Sequence, residues 1–252
     1  METAISLTTD IPLAQLVFAG PDAQSFLQGQ LSNDLAAMIP GAAASLLAGF
    51  HSPQGRVIAL LELRRPTRDE FLALLPADLA ELVVTRLRRF VLRSKLQISP
   101  PAMATASEAA LSRAARIAAG LPQVYAATTE VFVAQMLNLD VIGAISFTKG
   151  CYTGQEIIAR AHYRGRIKRR MQRFLSNDRR TLSPSDSHRL VDGRTVQVVD
   201  ACQQPDGRCE FLAVTTLPDT VAQHGADATS PQTADTQLLA VTALALPYKL
   251  PD

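Results

Sequence analysis

Phe147-Thr148-Lys149-Gly150-Cys151-Tyr152-Thr153-Gly154-Gln155-Glu156 places a cysteine beside a lysine, between two glycines, at what reads as a helix start. The thiolate is the reactive form of cysteine, and nearby positive charge or a helix N-terminus favours it. Thr153 and Glu156 have capping-box spacing. The helix is expected to carry Ile157, Ile158 and Ala161 on its apolar stripe and to stop at Gly165. Cys151 then lies just ahead of the cap, near the positive end of the helix dipole, with Lys149 as a second positive influence. That setting is expected to lower the thiol pKa from its ordinary value of about 8.5. The competing reading of such a cysteine is a small buried hydrophobe.

No Cys–His nucleophile pair is visible. At about 1.5 Å per helical residue, His162 falls roughly 16 Å from Cys151. His51 lies in the turn-like segment His51-Ser52-Pro53-Gln54-Gly55 and reads as a surface or turn residue. Cys202 and Cys209 have no His or Cys following at zinc spacing and read as ordinary thiols, with a metal site second.

The 252 residues are 47% hydrophobic and 19% charged, enough for a real core in one large domain or two small ones. No apolar run approaches the roughly 20 residues of a membrane span, and Met1-Glu2-Thr3-Ala4 lacks the basic start of a signal peptide. A soluble cytoplasmic protein without a disulfide framework is expected, with no membrane partner. The net charge is only +2, yet Arg160, Arg164, Arg166, Lys168, Arg169, Arg170 and Arg173 cluster without an acid. Arg86, Arg88, Arg89, Arg93 and Lys95 form a second basic group. Such patches suit phosphate, nucleic acid or a polyglutamate tail, or are simply solvated faces.

Periodicity predicts short strands at Ile5–Leu7 and Leu16–Phe18, then a helix opening at Pro21-Asp22-Ala23 with Phe26, Leu27 and Leu31 inward. A hairpin follows, Ser45–Phe50 and Arg56–Leu63, with a third strand at Glu70–Leu75. Asp78–Leu92 reads as an amphipathic helix that includes Phe90 on its inward face. A strand at Lys95–Ile98 and an Ala-rich helix at Ser107–Ala119 come next. Beyond Gly165 strands dominate: Lys168–Leu175, Thr195–Asp200, Glu210–Leu217 and Gln237–Leu246, with 218–235 as a long loop. The reading is a mixed α+β body and a small β domain, divided near residue 165.

Lys149-Gly150-Cys151-Tyr152-Thr153-Gly154-Gln155-Glu156 matches the signature of the YgfZ family in full, and the chain resembles that family along most of its length. Gly20-Pro21-Asp22-Ala23 with Phe26-Leu27-Gln28-Gly29-Gln30 and Asn33-Asp34 resembles its N-terminal block, and Gln54-Gly55-Arg56-Val57 its next. Arg116-Ile117, Gly120-Leu121-Pro122, Gln135, Asn138-Leu139 and Leu246-Pro247-Tyr248 extend the likeness. Two departures stand out: Ala134 where members often carry proline, and the polar stretch 218–235, which reads as an insertion.

The resemblance implies an aminomethyltransferase-like interleaved α+β body over residues 1–165 and a C-terminal β-barrel over 166–252. It implies a cavity for tetrahydrofolate or a derivative, and a role in assembling or repairing iron–sulfur clusters in client enzymes, one of them a tRNA methylthiolase. Cys151 would be the key functional residue, supported by Lys149. Tyr152, Gln155, Glu156, Arg160, Gln28, Asn33 and Asn138 would line or brace the site. Their ordinary readings are caps for Gln28, Asn33 and Glu156, a turn for Asn138, an i, i+4 ion pair for Arg160, and packing for Tyr152. Two other functions compete: a folate-dependent one-carbon transferase, whose required acid is not placed by Arg68-Asp69-Glu70, and a tRNA-binding module using the 160–173 patch.

Overall fold

Alternation builds the first strand, β1 (Leu13–Ala19), in which Ala14, Leu16 and Phe18 are buried and their neighbours partly exposed. The computed structural model describes residues 12–105, 111–165, 167–217 and 238–251. The expected strand at Ile5–Leu7, the stretch 218–235 and Arg166 lie outside the described residues.

The described chain forms two compact units. One comprises residues 12–105, 111, 123–165 and 250–251. After β1 come helix α1 (Ala23–Gln30), β2 (Leu46–His51), β3 (Val57–Thr67), β4 (Glu70–Pro76), α2 (Ala77–Arg88), β5 (Gln97–Ile98) and β6 (Ala102–Met103). The strands form one antiparallel sheet in the order β2-β3-β4-β1-β5, with β6 also on β1. Helix α2 packs on β1, β3 and β4 and buries Leu79, Val83 and Leu87, and those strands bury Leu16, Leu63, Phe71 and Leu75. The helix ends at Arg88, earlier than the expected Leu92, and Phe90 points outward rather than inward. Apolar spacing continues past the point where the backbone leaves the helix, so the inward face stops at Leu87.

Helix α4 (Gln155–Arg164) completes this unit, and Gly165 closes it with its N–H on the Ala161 carbonyl. A side chain at Gly165 would meet that carbonyl oxygen at 2.5 Å, so the close backbone approach at the helix end requires glycine.

The other unit comprises residues 112–122, 167–217 and 238–249. Helix α3 (Arg113–Ala118), capped by Ser112, packs on a five-stranded antiparallel sheet. Its strands are β7 (Arg169–Ser176), β8 (Ser187–Arg189), β9 (Thr195–Gln203), β10 (Cys209–Thr216) and β11 (Val241–Leu244). Their order is β11-β7-β10-β9-β8, an open path of paired strands among the described residues, and a single bridge from Leu190 to Leu239 joins the segments beside β8 and β11. Phe174 and Phe211, directly opposite on β7 and β10, stack at 5.5 Å in its core. The turn after α3 meets the end of the chain: Tyr248 donates its hydroxyl to the Gly120 carbonyl at 2.7 Å. Gly120 sits at φ +65, and a side chain there would strike Tyr248 at 2.8 Å.

Arg113 pins α3 to β9 by donating to the fully buried Asp200 at 2.8 Å. Arg113→Ala is expected to lower the unfolding free energy by about 2 to 3 kcal/mol, because it removes a charge-assisted hydrogen bond from a buried carboxylate. A urea titration checks this; a loss of about 0.5 kcal/mol, typical of a surface pair, would contradict it.

Candidate functional site

The signature loop and α4 are set by two glycines. Gly154 is the N-cap of α4 and has a left-handed backbone at φ 83. No side chain caps the helix, so the capping box expected from Thr153 and Glu156 does not form. The reason is tertiary: a Cβ on Gly154 would lie 2.5 Å from the Ser52 carbonyl oxygen and 3.3 Å from Gly55 Cα. The chain therefore enters the helix through a residue without a side chain, one position later than the capping box required. Gly55, at φ +73, faces Ile157 and Ile158 in the same way. The turn 51–56 thus seats directly beneath the signature. Phe147, at the start of the stretch, stacks on His162 of α4 at 3.9 Å, so His162 serves packing within the signature.

Lys149 reaches across to the end of α1. Its ammonium donates to the carbonyls of Gln28 and Leu31, each at 2.6 Å. Helix α1 has no basic residue in its own last turn, so Lys149 supplies the cation that its negative end favours. The same ammonium lies 5.1 Å from the centre of the Tyr152 ring. Burial pulls the Lys149 pKa down to about 8, against the opposing pull of the Asp34 carboxylate.

Tyr152 packs beneath the loop, and burial pushes its phenol up to about 12. On its other side lies His51, ring centre to ring centre 6.3 Å. His51 is 1% exposed, which corrects the surface reading. Among the described residues neither ring nitrogen has a hydrogen-bond partner, and burial pulls its pKa down to about 3. The ring lies over Gly49, where a Cβ would meet Nε2 at 2.3 Å. A glycine two residues before a histidine on one strand face was the available signal, since side chains at i and i+2 share a face.

Cys151 is exposed, whereas Cys202 and Cys209 are free and buried. Residue 202 pairs with 210 and residue 209 with 203, so the two buried thiols point to opposite faces of the hairpin. Burial pushes Cys209 up to about 11. Gln28 and Asn33 are occupied internally. The Gln28 amide donates to Asp34 and accepts from the Leu35 N–H, both at 2.8 Å. Asn33 donates to the Leu47 and Gly143 carbonyls at 2.8 and 2.7 Å. Asn138 is fully buried in a left-handed turn, φ 57, at the end of a short 3-10 turn. These three brace the frame beneath the signature. Gln155 is half-buried, and Glu156 and Arg160 are exposed on α4 without the expected ion pair between them.

The residues of the basic run differ in exposure within each unit. Arg160 and Arg164 are exposed on α4, Arg170 is buried, and Arg173 pairs with Glu210 at 2.7 Å. Among the described residues, no cluster of three or more His, Cys, Asp or Glu is placed to hold a metal. Nor is any described helix long and apolar enough to cross a membrane.

No family model matches the sequence. An uncharacterized protein of Haemophilus influenzae is 32% identical over 189 residues, 60% of this chain and 67% of that protein. The tRNA-modifying protein YgfZ of Edwardsiella ictaluri is 31% identical over 218 residues, 60% of this chain and 65% of its own length. The protein of the same name from Enterobacter sp. strain 638 is 41% identical over 99 residues, 38% of this chain and 30% of its own. Among solved structures, the glycine cleavage system aminomethyltransferase T of Bartonella henselae superposes with a TM-score of 0.64 at 13% identity, covering 82% of this chain and 77% of the enzyme. The chain shares that enzyme's mixed α and β fold with antiparallel sheets.

Gly154→Ala is expected to cost about 2 kcal/mol or more, from positive φ and the Ser52 contact together. Gly150→Ala, with nothing within 4 Å of its Cβ, serves as the near-neutral control. Denaturant titration of the two variants checks the contrast. His51 takes its proton at about pH 3 when folded and 6.5 when unfolded. Between those values the unfolded chain binds more protons, so His51 makes stability fall as pH drops. His51→Leu is expected to flatten this acid limb by up to about 1.4 kcal/mol per pH unit, read from urea midpoints at pH 4 to 7.

Proposed function

The chain belongs to the YgfZ family, and from that premise we propose that it is a folate-binding accessory protein that supports tRNA modification indirectly, by assembling or repairing iron–sulfur clusters in client enzymes. The observation that carries this reading is the position of Cys151. It is the exposed thiol of the chain, on a loop held by Lys149 at one side and by Gly154 at the other. An exposed thiol on a fixed loop can offer a sulfur atom to a partner without a change of fold. The iron, sulfur or disulfide species it meets would be cargo, met by transient ligation or thiol exchange.

The chemistry of the side chains on α4 supports a folate there. Glu156 and Arg160 stand one turn apart on the exposed face of α4. A carboxylate accepts from the amino-pyrimidine edge of a pterin, and a guanidinium pairs with the carboxylates of a glutamate tail. Gln155 adds an amide beside them. When bound, the folate supplies a reduced pterin and a carrier for one-carbon units. The chain's own residues orient it: Lys149, Tyr152, Gln28, Asn33 and Asn138 keep the loop and helix in register. We read the second unit's sheet as part of a barrel, and the protein as cytoplasmic.

The likeness to aminomethyltransferase T favours a second reading, folate-dependent one-carbon transfer. That chemistry needs an acid at the reacting carbon. The candidates Asp69 and Glu70 lie at the β3–β4 turn, where exposed Asp69 is 4.0 Å from Arg68.

The test is tetrahydrofolate titration of the native protein and Cys151→Ala, with rescue of cluster-dependent enzyme activity in a deletion strain. Equal folate affinity with rescue lost in Cys151→Ala is expected. Full rescue by Cys151→Ala would overturn the proposal. Methylene transfer that persists in that variant would favour the transferase reading.

A further inference from the structure

We propose that the open depression beyond the C-terminal end of α2 is a docking site for an acidic protein segment with an apolar anchor. The depression, about 890 Å³, is lined by Asp22, Ser25, Phe90, Leu92, Arg93 and Ser94. The inference goes beyond the folate-and-thiol reading, since none of the residues named there lines it.

Two observations show that the depression is not a by-product of the fold. Phe90 is 46% exposed and Leu92 is 90% exposed, so neither contributes its apolar surface to the core. Leu92 also sits at φ 29, in the left-handed region that a leucine enters only under strain. Asparagine or glycine would take that backbone more readily. A leucine that is both strained and exposed destabilises the chain, and such outliers gather where a ligand or partner is engaged.

Charge selects the partner. Arg89, Arg93 and Lys95 are exposed around the two apolar residues and pair with no carboxylate among the described residues. The one acid in the lining, Asp22, already accepts the Lys95 backbone N–H at 2.7 Å. Nearby, Arg88 donates to the Ile98 carbonyl, and the Glu130 carboxylate is taken up by Arg86. An apolar centre within a cationic rim complements an acidic segment with a buried hydrophobic side chain. A phosphodiester strand lacks the apolar anchor.

The probe is a fluorescein-labelled peptide, Asp-Glu-Asp-Phe-Glu-Asp-Leu-Glu-Glu, followed by anisotropy on the full chain at low and high salt. Leu92→Asn and Arg93→Glu are compared with the native protein. Phosphatidylglycerol vesicles and a single-stranded oligonucleotide serve as competing ligands. Binding that weakens about tenfold in each variant and with added salt supports the proposal. So does a melting temperature for Leu92→Asn about 2 °C above native, since it relieves the strain. Absent peptide binding at low salt, or binding that both variants leave unchanged, overturns it. Vesicle or oligonucleotide binding with the same variant dependence, in place of the peptide, overturns it in favour of that ligand. A Leu92→Asn protein that melts no higher than native contradicts the strain on which the inference rests.

Discussion

The contact between Gly154 and the Ser52 carbonyl governs the rest of the site. Two loops about a hundred residues apart approach until no side chain fits between them. The turn 51–56 is itself closed by the Gly55 N–H on Ser52 and the Ser52 N–H on Arg56, so its shape does not yield. Helix α4 must then begin at Gln155, and the stretch ahead of it is presented as an exposed loop carrying Cys151. Lys149 fixes the other end of that loop to α1. An exposed sulfur is thereby held outward by contacts that do not involve the sulfur.

The layer beneath the loop is polar yet closed. Lys149, Tyr152 and His51 follow one another as cation, ring and imidazole. The depressed pKa of His51 keeps it neutral over the working pH range, so no second positive charge faces the lysine from below. Asn33, Ser32 and Ser146 tie the segment after α1 to the approach to the signature, giving Lys149 a rigid target. The cluster of expected ligands thus divides by exposure. Glu156 and Arg160 face outward, while Gln28, Asn33 and Asn138 hold the frame.

Most strand positions were legible because each strand carries its own period. β1 alternates strictly, and the hairpin of β2 and β3 is punctuated by Pro53-Gln54-Gly55. Features set by distant neighbours were not legible. Thr153 and Glu156 satisfy a local rule that the approach of Ser52 overrides. His51 is buried by Tyr152 and Gly154, which lie far along the chain. Phe90 continues the α2 period into residues that are no longer helical. The arginine run read as one patch because sequence proximity hides that Arg170 turns inward and Arg173 meets Glu210.

The fold is shared with an aminomethyltransferase at 13% identity, so the scaffold alone does not decide between transfer chemistry and a thiol-based role. The deciding feature is whether a folate and the Cys151 sulfur occupy one site. Competitive alkylation of the three cysteines, quantified by mass spectrometry with and without tetrahydrofolate, measures this directly. Labelling confined to Cys151 and slowed by tetrahydrofolate is predicted. A Cys151 rate indifferent to tetrahydrofolate at saturating concentration would contradict it.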